Sequence, residues 1–176
     1  MISRRGLLRA GLGGALILSG AAVIGRSFFG VGGGYRLDDA KAKQLRALSA
    51  KEYLVLQAVA RRVCASDDAD APTADVVDAA LAADAYVAKL PEPVQEEVRA
   101  LLQLVEHGSS IAGRFTRLSN EQQDAALRGW QQSSLTLRRR GFQALKTLAL
   151  VGYWRDDRTW PLLGYSGPML QRREKT

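Results

Sequence analysis

Cysteine and histidine are almost absent from this sequence, which holds one of each, Cys64 and His107. A lone thiol cannot form an intrachain disulfide, so the chain can fold in a reducing compartment. One thiol and one imidazole also cannot supply the ligands of a protein-only zinc or iron–sulfur site. We expect Cys64 to be a small buried hydrophobe. His107, at a predicted helix end, should lie at the surface or cap that helix.

Long hydrophobic runs are missing outside the N-terminus, where alone the sequence approaches the roughly 20 apolar residues that cross a bilayer. The 176 residues, 47% of them hydrophobic, suit one globular domain with an N-terminal extension. A net charge of +7 would suggest nucleic acid, but residues 1–26 hold four arginines and no acid. The other 21 basic and 18 acidic residues leave only +3, so we expect no nucleic-acid partner.

The N-terminus has the pattern of an export signal. It reads SRRGLLR from position 3, and an uncharged stretch rich in glycine and alanine follows over residues 10–25. A basic start before a short, weakly apolar segment is typical of a signal peptide, and paired arginines indicate the twin-arginine route. We therefore predict a signal carried by Ser3, Arg4, Arg5, Leu7 and Leu8, with the twin-arginine translocase as a partner. The expected location is the periplasm or the periplasmic face of the inner membrane.

Two fates are open to residues 1–26. No clean Ala-x-Ala pattern ends the apolar stretch, and Ser19-Gly20-Ala21 is the nearest small-residue site. The 16 uncharged residues are also just short of a comfortable membrane span. The segment is therefore either a cleaved signal peptide or an uncleaved anchor that associates the chain with the membrane.

The remainder predicts an all-α fold. GVGGG at residues 30–34 indicates a flexible linker over 27–44, followed by a helical domain at 45–176. Capping boxes begin at Ser49 and Ser119. Apolar residues at helical spacing predict helices near 50–65, 74–89, 92–107, 120–132 and 134–153, and place Val76, Leu135 and Leu137 on apolar sides. We expect a compact bundle of about five helices behind the signal or anchor helix, with an irregular tail rich in aromatic residues, glycine and proline.

Residues for catalysis, cofactor binding or metal binding form no recognisable set. Three nearby acids, Asp67, Asp68 and Asp70, lack the further oxygens and closing glutamate of a calcium loop. The glycines at 30–34 are not followed by the GK[ST] of a phosphate loop. We expect no catalytic, cofactor-binding or metal-binding residue in this chain.

Aromatic residues concentrate in the C-terminal tail, among glycines and prolines that need particular backbone geometry. Such aromatics either cover the bundle's own core or anchor a partner, since tyrosine and tryptophan are enriched at interface hot spots. Both interpretations stay open on residue chemistry alone. The candidate partner interface consists of Tyr153, Trp154, Trp160, Gly164, Tyr165, Gly167 and Pro168.

The most specific pattern in the sequence lies in the last third of the chain. Its residues are Trp130, Ser134, Arg139, Arg140, Gly141, Phe142, Leu145, Leu148, Tyr153 and the run from Trp160 to Pro168, which reads WPLLGYSGP. Together with the twin-arginine start and the helical middle, this pattern resembles the gluconate 2-dehydrogenase subunit 3 family, whose members include the gamma subunits of bacterial FAD-dependent glucose dehydrogenases.

The resemblance implies a noncatalytic small subunit that binds a GMC-type flavoprotein large subunit and escorts it, already folded, through the twin-arginine route. FAD is then expected in the partner and no cofactor in this chain, and a cytochrome c subunit is a further partner in such complexes. Two other functions remain compatible with the residues. One is a stand-alone periplasmic helical ligand-binding protein or enzyme, and the other is a membrane-anchored scaffold of an unrelated complex.

Overall fold

The computed structural model describes residues 35–108 and 113–167, and within these ranges the ordered elements are all helical. The predicted all-α class is therefore confirmed for the described residues. The helices are α1 (Asp39–Ala42), α2 (Ala50–Val63), α3 (Ala79–Val87), α4 (Glu92–Gly108), α5 (Asn120–Gln131) and α6 (Thr136–Tyr153), with two 3-10 helices, η1 (Phe115–Arg117) and η2 (Asp157–Leu163).

Both predicted capping boxes are present and fix where α2 and α5 begin. At α2, the Glu52 amide donates to Ser49 Oγ (3.3 Å), and the Ser49 amide donates to Glu52 Oε2 (2.8 Å). Ser119 and Gln122 exchange the same pair of bonds at α5, at 3.4 and 3.0 Å. Each box satisfies two amides that the first helical turn would otherwise leave without partners.

Helix α2 lies at the centre of the bundle, where it contacts α3, α4, α5, α6 and η1. More than half of its residues are buried for that reason, including Leu56 and Val59. Helix α6 packs on α2, α3 and α5. A smaller apolar cluster joins the ends of α2, α3 and α6 through Ala60, Ala79, Ala149 and Tyr153.

Helix α3 begins five residues later than the apolar spacing predicts, at Ala79 rather than near residue 74. The cause is Asp78, which takes a left-handed backbone conformation (φ 47°) and accepts the Leu81 amide at 3.3 Å as the N-cap. Aspartate tolerates this conformation better than most residues. Residues 74–78 form turns instead, and Val76, predicted to face inward, is 57% exposed.

The structure differs from the sequence-based predictions in three further places: the start of the last helix, the C-terminal tail and the predicted linker. Leu135 and Leu137, expected on the apolar side of the last helix, are exposed at its N-terminus. The tail expected to be irregular contains η2. Within the segment predicted as a linker, residues 35–44 include α1, and Leu37 packs against the core.

A buried carboxylate holds the turn that leads into α2. Asp84, fully buried in α3, accepts backbone N–H groups from Arg46 (2.7 Å), Ala47 (3.0 Å) and Leu48 (2.8 Å). Because unpaired buried amides and carboxylates are costly, this single side chain fixes the path of three consecutive residues. It thereby ties the turn before α2 to α3.

The predicted export signal, Ser3, Arg4, Arg5, Leu7 and Leu8, lies outside the described residues. Among the residues that are described, no helix combines the length and apolarity that crossing a bilayer requires.

Candidate partner-binding surface

The C-terminal tail is held against the bundle by a compact set of hydrogen bonds around η2. Asp156 caps this helix, because its carboxylate accepts the Arg158 amide at 3.0 Å. The Arg158 guanidinium binds the same carboxylate at 2.7 Å and also reaches the Val76 carbonyl at 3.1 Å. Thr159, fully buried, donates to the Asp156 carbonyl at 2.7 Å. The tail is therefore fixed to the turns before α3.

Tyr153, one of the predicted interface residues, fills the chain's own core instead of presenting its ring at the surface. Its side chain is 3% exposed, and its hydroxyl donates to the Pro72 carbonyl at 2.7 Å. The Trp154 ring meets it edge-on, with ring centroids 5.1 Å apart. Of the two roles open to the tail aromatics, covering the core is the one that Tyr153 performs.

Beyond Tyr153 the tail turns outward. Trp160 is half-buried, and its indole Nε1 donates to the Trp154 carbonyl at 3.1 Å. Its ring lies 5.2 Å from that of Tyr165, centroid to centroid. Gly164, at φ 64°, ends η2 in a left-handed conformation that glycine adopts without strain. The chain reverses there, and the Tyr165 amide donates back to the Trp160 carbonyl at 3.1 Å.

This reversal leaves an exposed apolar patch on an ordered scaffold. Leu163 is 63% exposed and Tyr165 is 47% exposed, and the Tyr165 ring packs against that of Trp160. We call these three residues the tail surface. Leu163 was not among the predicted interface residues, because apolar periodicity does not reveal which side of a 3-10 helix faces solvent. Gly167 (φ 110°) follows the patch, and Pro168 lies outside the described residues.

The one cysteine and the one histidine both lie at helix ends. His107 is exposed at the end of α4, where its Nε2 lies 2.9 Å from Lys51 Nζ. Partial burial and the Lys51 charge lower the pKa of His107, which favours the neutral ring. Cys64 is half-buried at the end of α2, and burial raises the pKa of its thiol to about 11. Such a thiol is a weak nucleophile.

Among the described residues, no group of three or more histidine, cysteine, aspartate or glutamate side chains converges on a common point that could hold a metal ion. The buried carboxylates Asp84 and Glu106 are occupied by hydrogen bonds to this chain's own groups. Their arrangement is that of structural links between segments.

These features define a small all-helical domain with an ordered aromatic surface on its C-terminal segment. Residues 50–166 match the family model described as gluconate 2-dehydrogenase subunit 3, and the chain belongs to this family. The match begins at the first residue of α2 and ends just past the tail surface, so it includes the whole bundle from α2 onward. The resemblance predicted from the sequence is thereby confirmed, and the family is that of a subunit of a dehydrogenase complex. Neither the curated proteins nor the solved structures searched include a significant match.

Proposed function

We propose that this chain is the noncatalytic small subunit of a periplasmic or membrane-associated FAD-dependent dehydrogenase of the GMC type. It binds the flavoprotein large subunit and escorts it, folded, through the twin-arginine route. The family match over residues 50–166 carries the proposal, because the family is defined as one subunit of a larger dehydrogenase complex. FAD belongs to the partner, and a cytochrome c subunit is the electron acceptor expected in such a complex.

The tail surface supports binding to a partner. Two large apolar side chains, Leu163 and Tyr165, are exposed on a segment whose backbone is held by capping and by the Trp160 indole. An exposed apolar group on a fixed backbone loses little conformational entropy when a partner covers it. Aromatic residues in this setting are typical interface anchors. We therefore assign the tail surface as a contact with the large subunit.

The N-terminal sequence supports escort. The twin-arginine route moves proteins that have already folded, and a flavoprotein must fold around FAD before it can cross. One signal carried by a bound subunit can export the pair. The experiment is the double variant Arg4→Lys plus Arg5→Lys, with the large subunit expressed without a signal of its own. Dehydrogenase activity should remain in the cytoplasm, whereas periplasmic activity at the wild-type level would contradict escort.

The tail surface has its own test in the double variant Leu163→Ser plus Tyr165→Ser. Covering a fully exposed large apolar side chain contributes roughly 1.5–3 kcal/mol, and only about half of each of these two side chains is still exposed, so the two changes together should weaken the complex by roughly 15- to 250-fold. The matched control is Leu135→Ser plus Leu137→Ser, because these leucines are also exposed and apolar but lie at the start of α6. Equal affinities for both double variants would contradict the assignment of the tail surface.

The proteins recovered together with this chain distinguish the proposed function from the two alternatives. A stand-alone ligand-binding protein or enzyme would be recovered alone and would retain its activity without a flavoprotein. A membrane-anchored scaffold of an unrelated complex would be recovered with partners that carry no flavin.

A further inference from the structure

A groove with a basic rim lies between α2, η1 and the first described residues. Its volume is about 320 Å³, and it is half open to solvent. The floor is one face of α2, since Leu54, Ala58 and Arg61 are spaced by four and three residues. The full lining consists of Tyr35, Arg36, Leu54, Ala58, Arg61, Arg114, Thr116 and Arg117, and we call it the arginine groove.

Glu106 fixes the two walls of the arginine groove relative to each other. This carboxylate is fully buried in α4 and accepts the Tyr35 hydroxyl from one wall. From the other wall it accepts the Thr116 amide at 3.1 Å and the Thr116 hydroxyl at 2.7 Å. The Arg114 guanidinium lies over the Tyr35 ring, 5.4 Å from its centroid, and bridges the walls at the surface. The groove is therefore a formed structure and not a gap between mobile side chains.

The charge of the arginine groove is positive. Four guanidinium groups line it, and Asp75 and Glu106 are carboxylates that contact its lining. Asp75 pairs with Arg61 at 2.8 Å. Arg36 and Arg117 are exposed, and neither forms an ion pair with a described carboxylate. An apolar floor between the Arg36 and Arg117 guanidinium groups complements a segment that carries both apolar and acidic side chains.

A chain of contacts connects the arginine groove to η2, the helix that carries the tail surface. Arg61 in the groove binds Asp75, and the next residue, Val76, accepts the Arg158 guanidinium at 3.1 Å. Arg158 belongs to η2, and the Val76 side chain between the two sites is 57% exposed. The groove and η2 are therefore connected through a single turn of chain.

We propose that the arginine groove receives an acidic segment of the flavoprotein large subunit. An apolar side chain of that segment rests on Leu54 and Ala58, and its carboxylates bind Arg36 and Arg117. The half-open shape suits a protruding chain segment, because a small-molecule site usually encloses most of its ligand. This inference rests on the proposed function, since it names a second contact with the same partner.

The test is the double variant Arg36→Glu plus Arg117→Glu in the full chain, with affinity for the FAD-loaded large subunit measured at low and high salt. Both side chains are exposed and unpaired, so the fold should be unaffected, as circular dichroism and the melting temperature will show. The control is Arg138→Glu plus Arg140→Glu, which makes the same charge change at exposed positions on α6. We expect about 30-fold weaker binding for the groove variant at low salt and a shallower salt dependence, with less than a threefold change for the control.

A milder pair, Arg36→Gln plus Arg117→Gln, keeps the test decisive if charge reversal harms folding, and we expect about a tenfold loss from it. Equal affinity of the wild type and the groove variants would overturn the inference while leaving the proposed function intact. Failure of the wild type to bind any flavoprotein would instead refute the proposed function. If the groove variants lose binding only to phosphatidylglycerol vesicles and keep full affinity for the large subunit, the groove binds lipid headgroups and the inference is wrong.

Discussion

Replacing Gly152 with alanine should push α3 and α6 apart. A Cβ atom at this position would lie 1.9 Å from the Ala79 carbonyl oxygen and 2.8 Å from its carbon. Ala79 is the first residue of α3, so the obstacle is helix backbone that cannot rotate away. An ordinary contact begins near 3.4 Å. The two helices would therefore have to separate by about 1.5 Å, which opens the well-packed interface between them.

The expected cost follows from two opposing effects. Overpacking in a well-packed interior costs about 1–3 kcal/mol and more where backbone must move. Alanine favours a helix over glycine by about 1 kcal/mol, which offsets part of this loss. Because the separation also disturbs the cluster of Ala60, Ala149 and Tyr153, we expect a net loss of about 3 kcal/mol. For a chain of this size, that lowers the melting temperature by roughly 10 °C.

Urea and thermal unfolding followed by circular dichroism will measure this loss. The control is Gly129→Ala in α5, where a Cβ would meet no atom within 4 Å. That change should leave stability unaltered or raise it by up to about 1 kcal/mol. A Gly152→Ala variant within 1 kcal/mol of the wild type would refute the close α3–α6 approach.

Three further predictions concern side chains. Asp84→Ala should lower the free energy of unfolding by about 3–5 kcal/mol in urea titrations, because three backbone amides lose their acceptor; a loss below 1 kcal/mol would contradict this role. The Cys64 thiol, with a pKa of about 11 against an ordinary 9.0, should be alkylated at pH 8 about 100-fold more slowly than in the urea-unfolded chain, and equal rates would show that it is accessible. The Arg62 guanidinium lowers the pKa of Asp124 in the folded chain below its ordinary 3.8. The ion pair therefore stabilises the fold at pH values above 3.8, and this stabilisation is lost as the pH falls through the pKa of Asp124 in the folded chain. The stability difference between the wild type and Asp124→Asn should therefore shrink on acidification in pH-dependent melting curves, and a difference that grew would reverse the sign of the argument.

The helices could be predicted from the sequence because their determinants are local. A capping box occupies four consecutive residues, and apolar spacing within one helix reports its buried side. Both boxes and the approximate spans of α2, α4, α5 and α6 were predictable for this reason. The late start of α3 was not, because the conformation of Asp78 is supported by Lys41 and Tyr53, which are distant in sequence.

The candidate site could be predicted only in part, for the same physical reason. The aromatic content of the tail indicated a candidate segment, but which aromatic faces inward depends on η2 and its contacts with the turns before α3. Tyr153 is consequently buried, and the exposed Leu163 was overlooked. The arginine groove joins residues 36, 61, 114 and 117, which no local pattern connects. Glu106, which holds its walls together, appears in the sequence as an ordinary acid near a helix end.

The most direct test of the account is recovery of the tagged full chain from the envelope of a cell that also expresses the large subunit. We expect the two chains to be recovered together, with the visible absorbance of bound flavin and dehydrogenase activity in the same fraction. Because this chain is assigned no cofactor, all of the flavin should be found in the large subunit after the two are separated. Recovery of the tagged chain alone, free of flavin and activity, would contradict its assignment as the small subunit of a flavin-dependent dehydrogenase.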